Sequence, residues 1–274
     1  MTMSLRIFEN LERLYHEVGS VASSGTVGIV PATGFFHYGV LEMVQRSRSE
    51  NDNTIVILLD PIEMGQNANF SYEELNFSDR EHLIRQGVDG FVLVPKAISN
   101  RFIIRESYFG EIMGLPEEAV QAFVTRFLKI LVRLRPLHIY WSDLYYRQAL
   151  ILEHLIEDYS PSVKLIRHAI TRDSNGIPHA SSNSLLSASE KDFSNSFHIT
   201  LREQFQDCVG LNTQMVTDRI TDLLENEGFA NVQVRIFDER MSHTDSIGKL
   251  SRIFASVTIR DVVIVDNLPV KSEP

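Results

Sequence analysis

The sequence predicts an α/β protein with a doubly wound, Rossmann-like parallel sheet and a smaller α+β C-terminal domain. Two observations carry this prediction. In the first part of the chain, short apolar runs such as TIVILL at 54–59 alternate with segments of helical periodicity, a pattern typical of βαβ units. After about residue 172 this alternation stops, and the sequence predicts a loop, two helices and several short strands. We therefore expect a Rossmann-like N-terminal domain at 1–171 and a small α+β C-terminal lid domain at 172–274.

The first domain is predicted to begin with an amphipathic helix, because Ile7, Leu11, Leu14, Tyr15 and Val18 fall on one helical face. The predicted strands are 26–30, 54–59, 91–94, 137–141 and 163–169, and the predicted helices after that opening one are 38–48, 78–86, 117–135 and 145–158. Right-handed crossovers between such strands give a parallel sheet whose ligands bind beyond the carboxyl ends of the strands.

The second domain follows an interdomain loop at 173–184, which is rich in Ser, Asn, Pro and Gly. Helices are predicted at 188–205 and 211–227, and short strands at 232–237, 254–259 and 262–266. These elements predict a small α+β domain.

Composition and charge restrict the class of partner. The 274-residue chain is 43% hydrophobic and carries a formal net charge of −10, which argues against non-specific binding to nucleic acid or to anionic membranes. Its single cysteine, Cys208, excludes an intramolecular disulfide and a cysteine-based zinc site. No apolar run reaches the roughly 18 residues that span a bilayer, and the first residues do not read as a signal peptide. These features predict a cytoplasmic protein.

The turn PATGFFHYGV at 31–40 is the first candidate site. It joins a predicted strand to a predicted helix and contains Gly34, so free backbone N–H groups and the helix dipole converge there. Such a turn binds anions, but the same pattern also fits a plain connection between a strand and a helix.

Several motifs of this chain, taken in their order along the sequence, resemble motifs of the pantothenate synthetase (pantoate–β-alanine ligase) family. The turn resembles that family's P-T-M-G-x-L-H-x-G-H, with His37 and Gly39 on the first His and the Gly. LDPIEM at 59–64, GVD at 87–89, YWSDLY at 140–145, the segment 176–187 and VDN at 265–267 resemble the later family motifs in the same order. The resemblance implies a nucleotidylyltransferase-type Rossmann fold, a homodimer, and the joining of pantoate to β-alanine through an adenylate made from ATP.

The positions that would contact ATP depart from the family. Val40 stands where the resemblance puts a nucleotide-binding His, Leu144 replaces a Lys, Tyr145 an acid and Ser182 an Arg. Transfer of AMP concentrates negative charge on the phosphates, so losing the His, the Lys and the Arg together costs orders of magnitude in rate. We therefore expect no ordinary ATP-dependent adenylation and assign no cofactor.

The acid-binding pocket departs as well. The family's Asn and Gln are here Asp60 and Glu63, two carboxylates that repel an anionic acid. If both face the cavity, they favour an amine, a cation, or a metal ion completed by His37. Alternatively, either carboxylate pairs with an arginine or faces solvent and has no chemical role. No metal site is assigned.

The predicted catalytic residues are His37, as general acid–base or orienting group, and Gln148, which matches a family glutamine. The predicted substrate-binding residues are Gly34, Asp60, Glu63, Asp143, Arg147, Ser181 and Asn183. Arg147 either supplies a cation to the cleft or pairs with Asp143 four residues earlier. His168 and His179 are interpreted as structural, Tyr145 and Tyr146 as core filling, and Cys208 as inert.

Three functions remain open. The first is an enzyme of the pantothenate synthetase type repurposed for a small polar or amine-bearing substrate in specialised metabolism. The second is a pseudoenzyme that binds a metabolite or a protein partner. The third is an ATP-dependent amide-forming ligase in which Lys96, Arg101 or Arg105 replaces the missing cations.

Overall fold

The computed structural model describes residues 6–8, 11–22, 25–33, 37–59, 91–93 and 117–270. The chain divides into two compact units, 1–170 and 171–274. No helix among the described residues is long and apolar enough to cross a membrane. The predicted helix at 78–86 lies outside the described residues.

The first unit is built on a parallel sheet, as predicted. Its strands are β1 (Arg6–Phe8), β2 (Val27–Thr33), β3 (Asn53–Leu59), β4 (Phe91–Leu93), β5 (His138–Ser142) and β6 (Lys164–His168), in the order β1-β4-β3-β2-β5-β6. All five pairings between neighbours are parallel. From β2 the chain winds to β3 on one side and later to β5 on the other. The point between β2 and β5 is therefore the topological switch point, where such sheets bind ligands.

Helices cover both faces of this sheet. They are α1 (Leu11–Ala22), α2 (Tyr38–Glu50), α3 (Glu117–Leu134) and α4 (Tyr146–Tyr159), with a short 3₁₀ helix at Asp143–Tyr145 before α4. On one face, residues of α1, α3 and α4 share a core cluster with β2, β3 and β5. On the other, α2 packs through Val40, Met43 and Val44 against Val30 and Tyr140. Burial on both faces explains why β3 reads as a continuous apolar run.

The prediction of an opening helix that includes Ile7 is wrong. Ile7 belongs to β1, which pairs with β4 in the register Ile7↔Val92, and α1 begins only at Leu11. The apolar spacing of the first residues matches a helix, but β1 forms its hydrogen bonds with β4, which lies more than 80 residues away in the sequence. Such a non-local pairing overrides a local pattern over so few residues.

Strand β2 is longer than predicted and contains Pro31. The carbonyl of Val27 accepts a hydrogen bond from Leu137 N, so Val27, Ile29 and Pro31 direct their backbone groups towards β5. The ladder with β5 ends at Ile29, so the missing N–H of Pro31 removes no ladder bond, while pairing with β3 continues to Thr33. Strand β2 therefore ends at Thr33, two residues beyond Pro31.

The second unit has the predicted α+β composition of two helices and three strands, and the structure shows that the strands form an antiparallel sheet. Its elements are a 3₁₀ helix at Ser181–Leu185, α5 (Ala188–Phe205), α6 (Thr213–Asn226), and β7 (Ala230–Phe237), β8 (Arg252–Ile259) and β9 (Val262–Pro269) in the order β7-β8-β9. Ser187 begins α5 with a capping box in which its side chain and that of Glu190 satisfy each other's backbone N–H groups. Asp266 of β9, whose side chain is fully buried, accepts two hydrogen bonds from Arg172 at 2.8 Å and one from His198 at 2.6 Å. These bonds attach the segment after residue 171 to the small sheet.

Candidate functional site

A narrow cavity lies at the carboxyl ends of β2 and β5, at the switch point of the sheet. Its volume is about 20 Å³, enough for one or two water molecules. It is lined by Pro31, Ala32, His37, Val40, Met43, Leu59, Trp141, Ser142, Leu144 and Tyr145. The fold therefore brings His37 from the predicted turn together with residues of the YWSDLY segment, although about 100 residues separate them in the chain.

His37 occupies the N-cap position of α2. Its backbone is extended (φ −87°, ψ 168°), and its carbonyl accepts hydrogen bonds from Val40 N and Leu41 N at 3.0 and 3.2 Å. Its side chain makes no capping bond; it lines the cavity instead, with Nδ1 shielded from solvent. An imidazole placed at a ligand cavity in this way can donate or accept a proton.

The other wall is held rigidly by the turn after β5. Trp141 Nε1 donates a hydrogen bond to the carbonyl of Tyr145 at 2.9 Å, and the Ser142 hydroxyl accepts one from Leu144 N at 3.3 Å. The Trp141 ring is itself fixed edge-on against Phe123 and Phe127 in the core. These contacts orient Leu144 and Tyr145 towards the cavity.

The positions at which the family resemblance expects charged groups are apolar or neutral here. Val40 is 2% exposed and belongs to the core beneath α2, and Leu144 is 6% exposed. Tyr145 is half-buried and packs against the main core. None of the described residues that line the cavity is a Lys, Arg, Asp or Glu. A wall of this kind offers little stabilisation to a triphosphate.

Arg147, the second residue of α4, carries a partly buried cation. Its NH1 atom is buried without a hydrogen-bond partner among the described residues, and burial lowers the pKa of the guanidinium to about 10. The predicted alternative, a pair with Asp143, does not form, because Asp143 accepts a 2.5 Å hydrogen bond from Arg167 Nε. Arg147 is therefore a charge that the described part of the chain leaves uncompensated.

Arg167 on β6 shows the contrasting case. It pairs with Asp143 and with Glu153 at 2.9 Å, and its guanidinium lies over the Tyr146 ring, 4.6 Å from the centroid. Burial lowers the pKa of this guanidinium, but the two carboxylates outweigh burial and raise it above its ordinary value. Sequence reasoning missed this network, since no local spacing relates a residue of β6 to the start of α4.

The remaining predicted site residues fall into three groups. Gln148, beside Arg147, is 4% exposed, so its amide is inside the protein. In the second unit, Ser181 is 2% exposed, and the side-chain amide of Asn183 donates to the Pro178 carbonyl at 2.6 Å. The roles of these residues and of Asp143 in substrate binding stay predictions. Gly34, Asp60 and Glu63 lie outside the described residues.

The metal hypothesis needs Asp60 and Glu63 together with His37 and is therefore untested. Within the described ranges, no group of three His, Cys, Asp or Glu side chains is arranged to hold a metal ion. His168, interpreted as structural, lies 3.2 Å from a Glu42 carboxylate oxygen, a contact between β6 and α2. Cys208 donates a hydrogen bond to the Gln204 carbonyl at 3.1 Å, and burial raises the pKa of its thiol.

Comparisons with known proteins confirm the family resemblance. A family model described as pantoate-beta-alanine ligase matches residues 6–269. The pantothenate synthetase of Rhizobium johnstonii is 27% identical over 232 residues, covering 81% of this chain and 74% of that protein. The pantothenate synthetase of Aquifex aeolicus is 23% identical over 261 residues, covering 90% and 92% respectively.

Solved structures of the same family share the fold. Pantothenate synthetase from Thermus thermophilus matches with a TM-score of 0.80 at 19% identity, covering 97% of this chain and all of that one. Pantoate-beta-alanine ligase from Francisella tularensis, solved in complex with beta-gamma ATP and beta-alanine, matches with a TM-score of 0.74 at 23% identity, covering 97% and 98%. Both likenesses support the nucleotidylyltransferase-type α/β fold with a small C-terminal domain.

Proposed function

Since this chain belongs to the pantoate–β-alanine ligase family, we propose that it is an enzyme of that family repurposed for a small polar substrate. In this proposal the substrate binds at the switch point beside His37, and the family's reaction with ATP is lost. The observation that carries the proposal is the cavity wall, where Val40, Leu144 and Tyr145 replace the expected charged side chains.

The loss of ATP chemistry follows from electrostatics. A triphosphate in a cleft needs cations and polar donors, because removing its charge from water is costly unless protein charges replace the solvent. Val40 and Leu144 are buried aliphatic side chains, so neither position offers a polar group that could bind a cation, directly or through a water molecule. Tyr145 offers one hydroxyl in place of a carboxylate.

The substrate class follows from the polar groups near the same edge of the sheet. His37 supplies a proton donor or acceptor. Arg147, if it turns towards this edge when ligand binds, supplies a cation for a carboxylate or phosphate. Asp60 and Glu63 would hold an amine if both face the cavity, which is the condition under which the sequence predicts it. A small molecule with both an amine and an anionic group, as in an amino acid, fits this combination.

The first test is calorimetric titration of the full chain with magnesium and ATP, alongside a non-hydrolysable analogue. The Aquifex aeolicus pantothenate synthetase serves as the positive control. We expect no binding by this chain, because the wall lacks cations. Micromolar binding, or pantoate-dependent exchange of pyrophosphate into ATP, would contradict the proposal.

The second test is a thermal-shift screen with amino acids, amines and hydroxy acids, followed by turnover assays on any compound that stabilises the chain. His37→Ala and Glu63→Gln should each abolish turnover of that compound without lowering the melting temperature. His168→Gln is a matched control, since that histidine contacts Glu42 instead of lining the cavity. Full turnover in both site variants would refute the assigned roles.

A second candidate is an ATP-dependent amide ligase with rearranged cations, and the uncompensated charge of Arg147 favours it. It predicts pantothenate formation from pantoate, β-alanine and ATP, and loss of that product in Arg147→Gln. A third is a pseudoenzyme, favoured by the small volume of the cavity and by Tyr145 in its wall. It predicts ligand binding without turnover. The homodimer and the cytoplasmic location stay predictions.

A further inference from the structure

A second, larger cleft lies at the opposite edge of the sheet. Its volume is about 460 Å³, within the range of small-molecule sites. It lies at the amino ends of β2 and β5, whereas the His37 cavity lies at their carboxyl ends. Because β2 has seven residues, its length separates the two by roughly 20 Å. All of its lining residues are described and belong to the first unit.

The cleft carries positive charge. Arg133 and Arg135 line it, and none of its lining residues is an Asp or Glu. One turn before Arg133 on α3, the pKa of Lys129 is lowered by burial and by the charges of Arg133 and Arg126. This concentration of cations stands out in a chain whose net charge is −10.

An acid bonded to the wall of the cleft, Asp52, is already engaged. The Asp52 carboxylate accepts hydrogen bonds from the backbone N–H of Thr26 at 2.8 Å and from its hydroxyl at 2.9 Å. These bonds lower the pKa of Asp52 and hold it on the start of β2. Asp52 thus fixes one wall of the cleft and does not pair with either arginine.

The end of α3 does not by itself explain Arg135. Arg133 in the last helical turn offsets the helix dipole. Arg135 follows the helix in the left-handed region (φ 45°), where Gly or Asn is the usual residue, and its N–H caps the Leu131 carbonyl at 3.1 Å. Any residue other than proline supplies that N–H, so the capping bond does not call for a guanidinium.

The rest of the lining suits an organic ligand. Val18, Leu134 and Pro136 provide a buried apolar floor, and the Ser162 hydroxyl stands at the rim. The Tyr15 ring is 40% exposed and lies beneath the Arg133 guanidinium, 5.9 Å from it. An apolar group on the floor and an anionic group between the arginines would satisfy both halves of the cleft.

We propose that this cleft is a second ligand site, separate from the His37 cavity, for a small organic anion. The ligand carries a carboxylate or phosphate group that pairs with Arg133 and Arg135 and an apolar or aromatic part that packs on the floor. Bidentate pairing of a guanidinium with such oxygens supplies the orientation. The site is independent of the proposed function, because none of its residues lines the catalytic cavity.

The test is calorimetric titration of the full chain with phenyl phosphate and with benzoate, using benzyl alcohol and inorganic phosphate as partial probes. We expect at least one of the two anions to bind with a dissociation constant below about 1 mM, more tightly than either partial probe. The preferred anion identifies the head group. Affinity should fall as salt is raised, since the arginines are exposed.

Substitutions show whether the two arginines of the cleft hold the anion. Arg133→Gln with Arg135→Gln should weaken binding at least tenfold, while the exposed Arg202→Gln on α5 should leave it unchanged. Arg135→Gly should also weaken binding yet raise the melting temperature, because Gly fits the left-handed backbone. Binding that survives both cleft variants, binding lost instead in Arg147→Gln, or no binding of either anion would overturn the proposal.

Discussion

Replacing Arg147 by Met should stabilise the ligand-free protein. Burial lowers the pKa of this guanidinium from its ordinary value to about 10, and NH1 has no hydrogen-bond partner among the described residues. A fall of that size corresponds to roughly 3 kcal/mol for holding the charge inside the fold instead of in water. Methionine keeps most of the apolar stem and removes the charge. We therefore expect the free energy of unfolding to rise by about 1–3 kcal/mol.

Urea unfolding at neutral pH, followed by tryptophan fluorescence, measures this change. The only tryptophan, Trp141, is 2% exposed in the first unit, so its emission reports the unit that contains Arg147. Arg167→Met is the matched comparison and should lower stability, because it leaves Asp143 and Glu153 without their cation. The exposed Arg202→Met should change stability by less than about 0.5 kcal/mol.

The pH dependence gives an independent check on sign. The pKa of Arg147 is lower in the folded state, so folding disfavours its charged form at neutral pH. That penalty disappears as pH rises above about 10 towards the ordinary pKa of a guanidinium, and the advantage of Arg147→Met should shrink over this window. A loss of more than about 1 kcal/mol in the Met variant at neutral pH would refute the reasoning, since it would mean that the guanidinium makes favourable contacts.

Three further substitutions test other parts of the fold. Asp266→Asn should destabilise the second unit by about 3–5 kcal/mol in thermal unfolding, because Arg172 and His198 lose a fully buried partner; a change within about 0.5 kcal/mol would contradict this. Burial and a neighbouring carboxylate raise the pKa of Tyr140 to about 12, so ionisation of the unfolded tyrosine should contribute a loss of stability from about pH 10 to pH 12, opposite in sign to the contribution of Arg147. The stability of Tyr140→Phe relative to the wild type should therefore rise over that window, and a difference that does not change with pH would show that Tyr140 makes no such contribution. Ser187→Ala should cost about 1 kcal/mol by removing the N-cap of α5, measured by urea unfolding, whereas an unchanged midpoint would show that the capping box contributes nothing.

Strong local patterns made most of the fold predictable. The β3 run is apolar at nearly every position because both faces of that strand are covered. The observed bounds of α5 agree with the predicted ones, and the structure shows that a capping box begins this helix. The start of the chain was not predictable in the same way. Three residues of β1 carry too little pattern to outweigh a helical spacing, and their partner strand lies far along the sequence.

The candidate site was predictable only in part. The turn at His37 could be located from its glycines and from the strand before it. The predicted strand ends at residue 30, just before Pro31, whereas β2 continues to Thr33. The sequence alone does not reveal that the hydrogen bonds with β5 end at Ile29, so that the missing N–H of Pro31 removes none of them. The sequence spacing could not show whether Arg147 has an acidic partner. Asp143 lies four residues before Arg147 and yet pairs with Arg167 of β6.

The sequence by itself determined the fold class, the family resemblance and the loss of charged residues at the positions expected to contact ATP. Each of these depends on residue type at a fixed place in the chain, which the sequence states directly. Only the tertiary structure decided that Val40 and Leu144 are buried in the cavity wall, that Arg147 NH1 finds no partner in the described part of the chain, and that Arg133 and Arg135 line a second cleft. Burial, pairing and cavity shape depend on which distant strands and helices meet, because charge is stabilised or penalised by its surroundings in space.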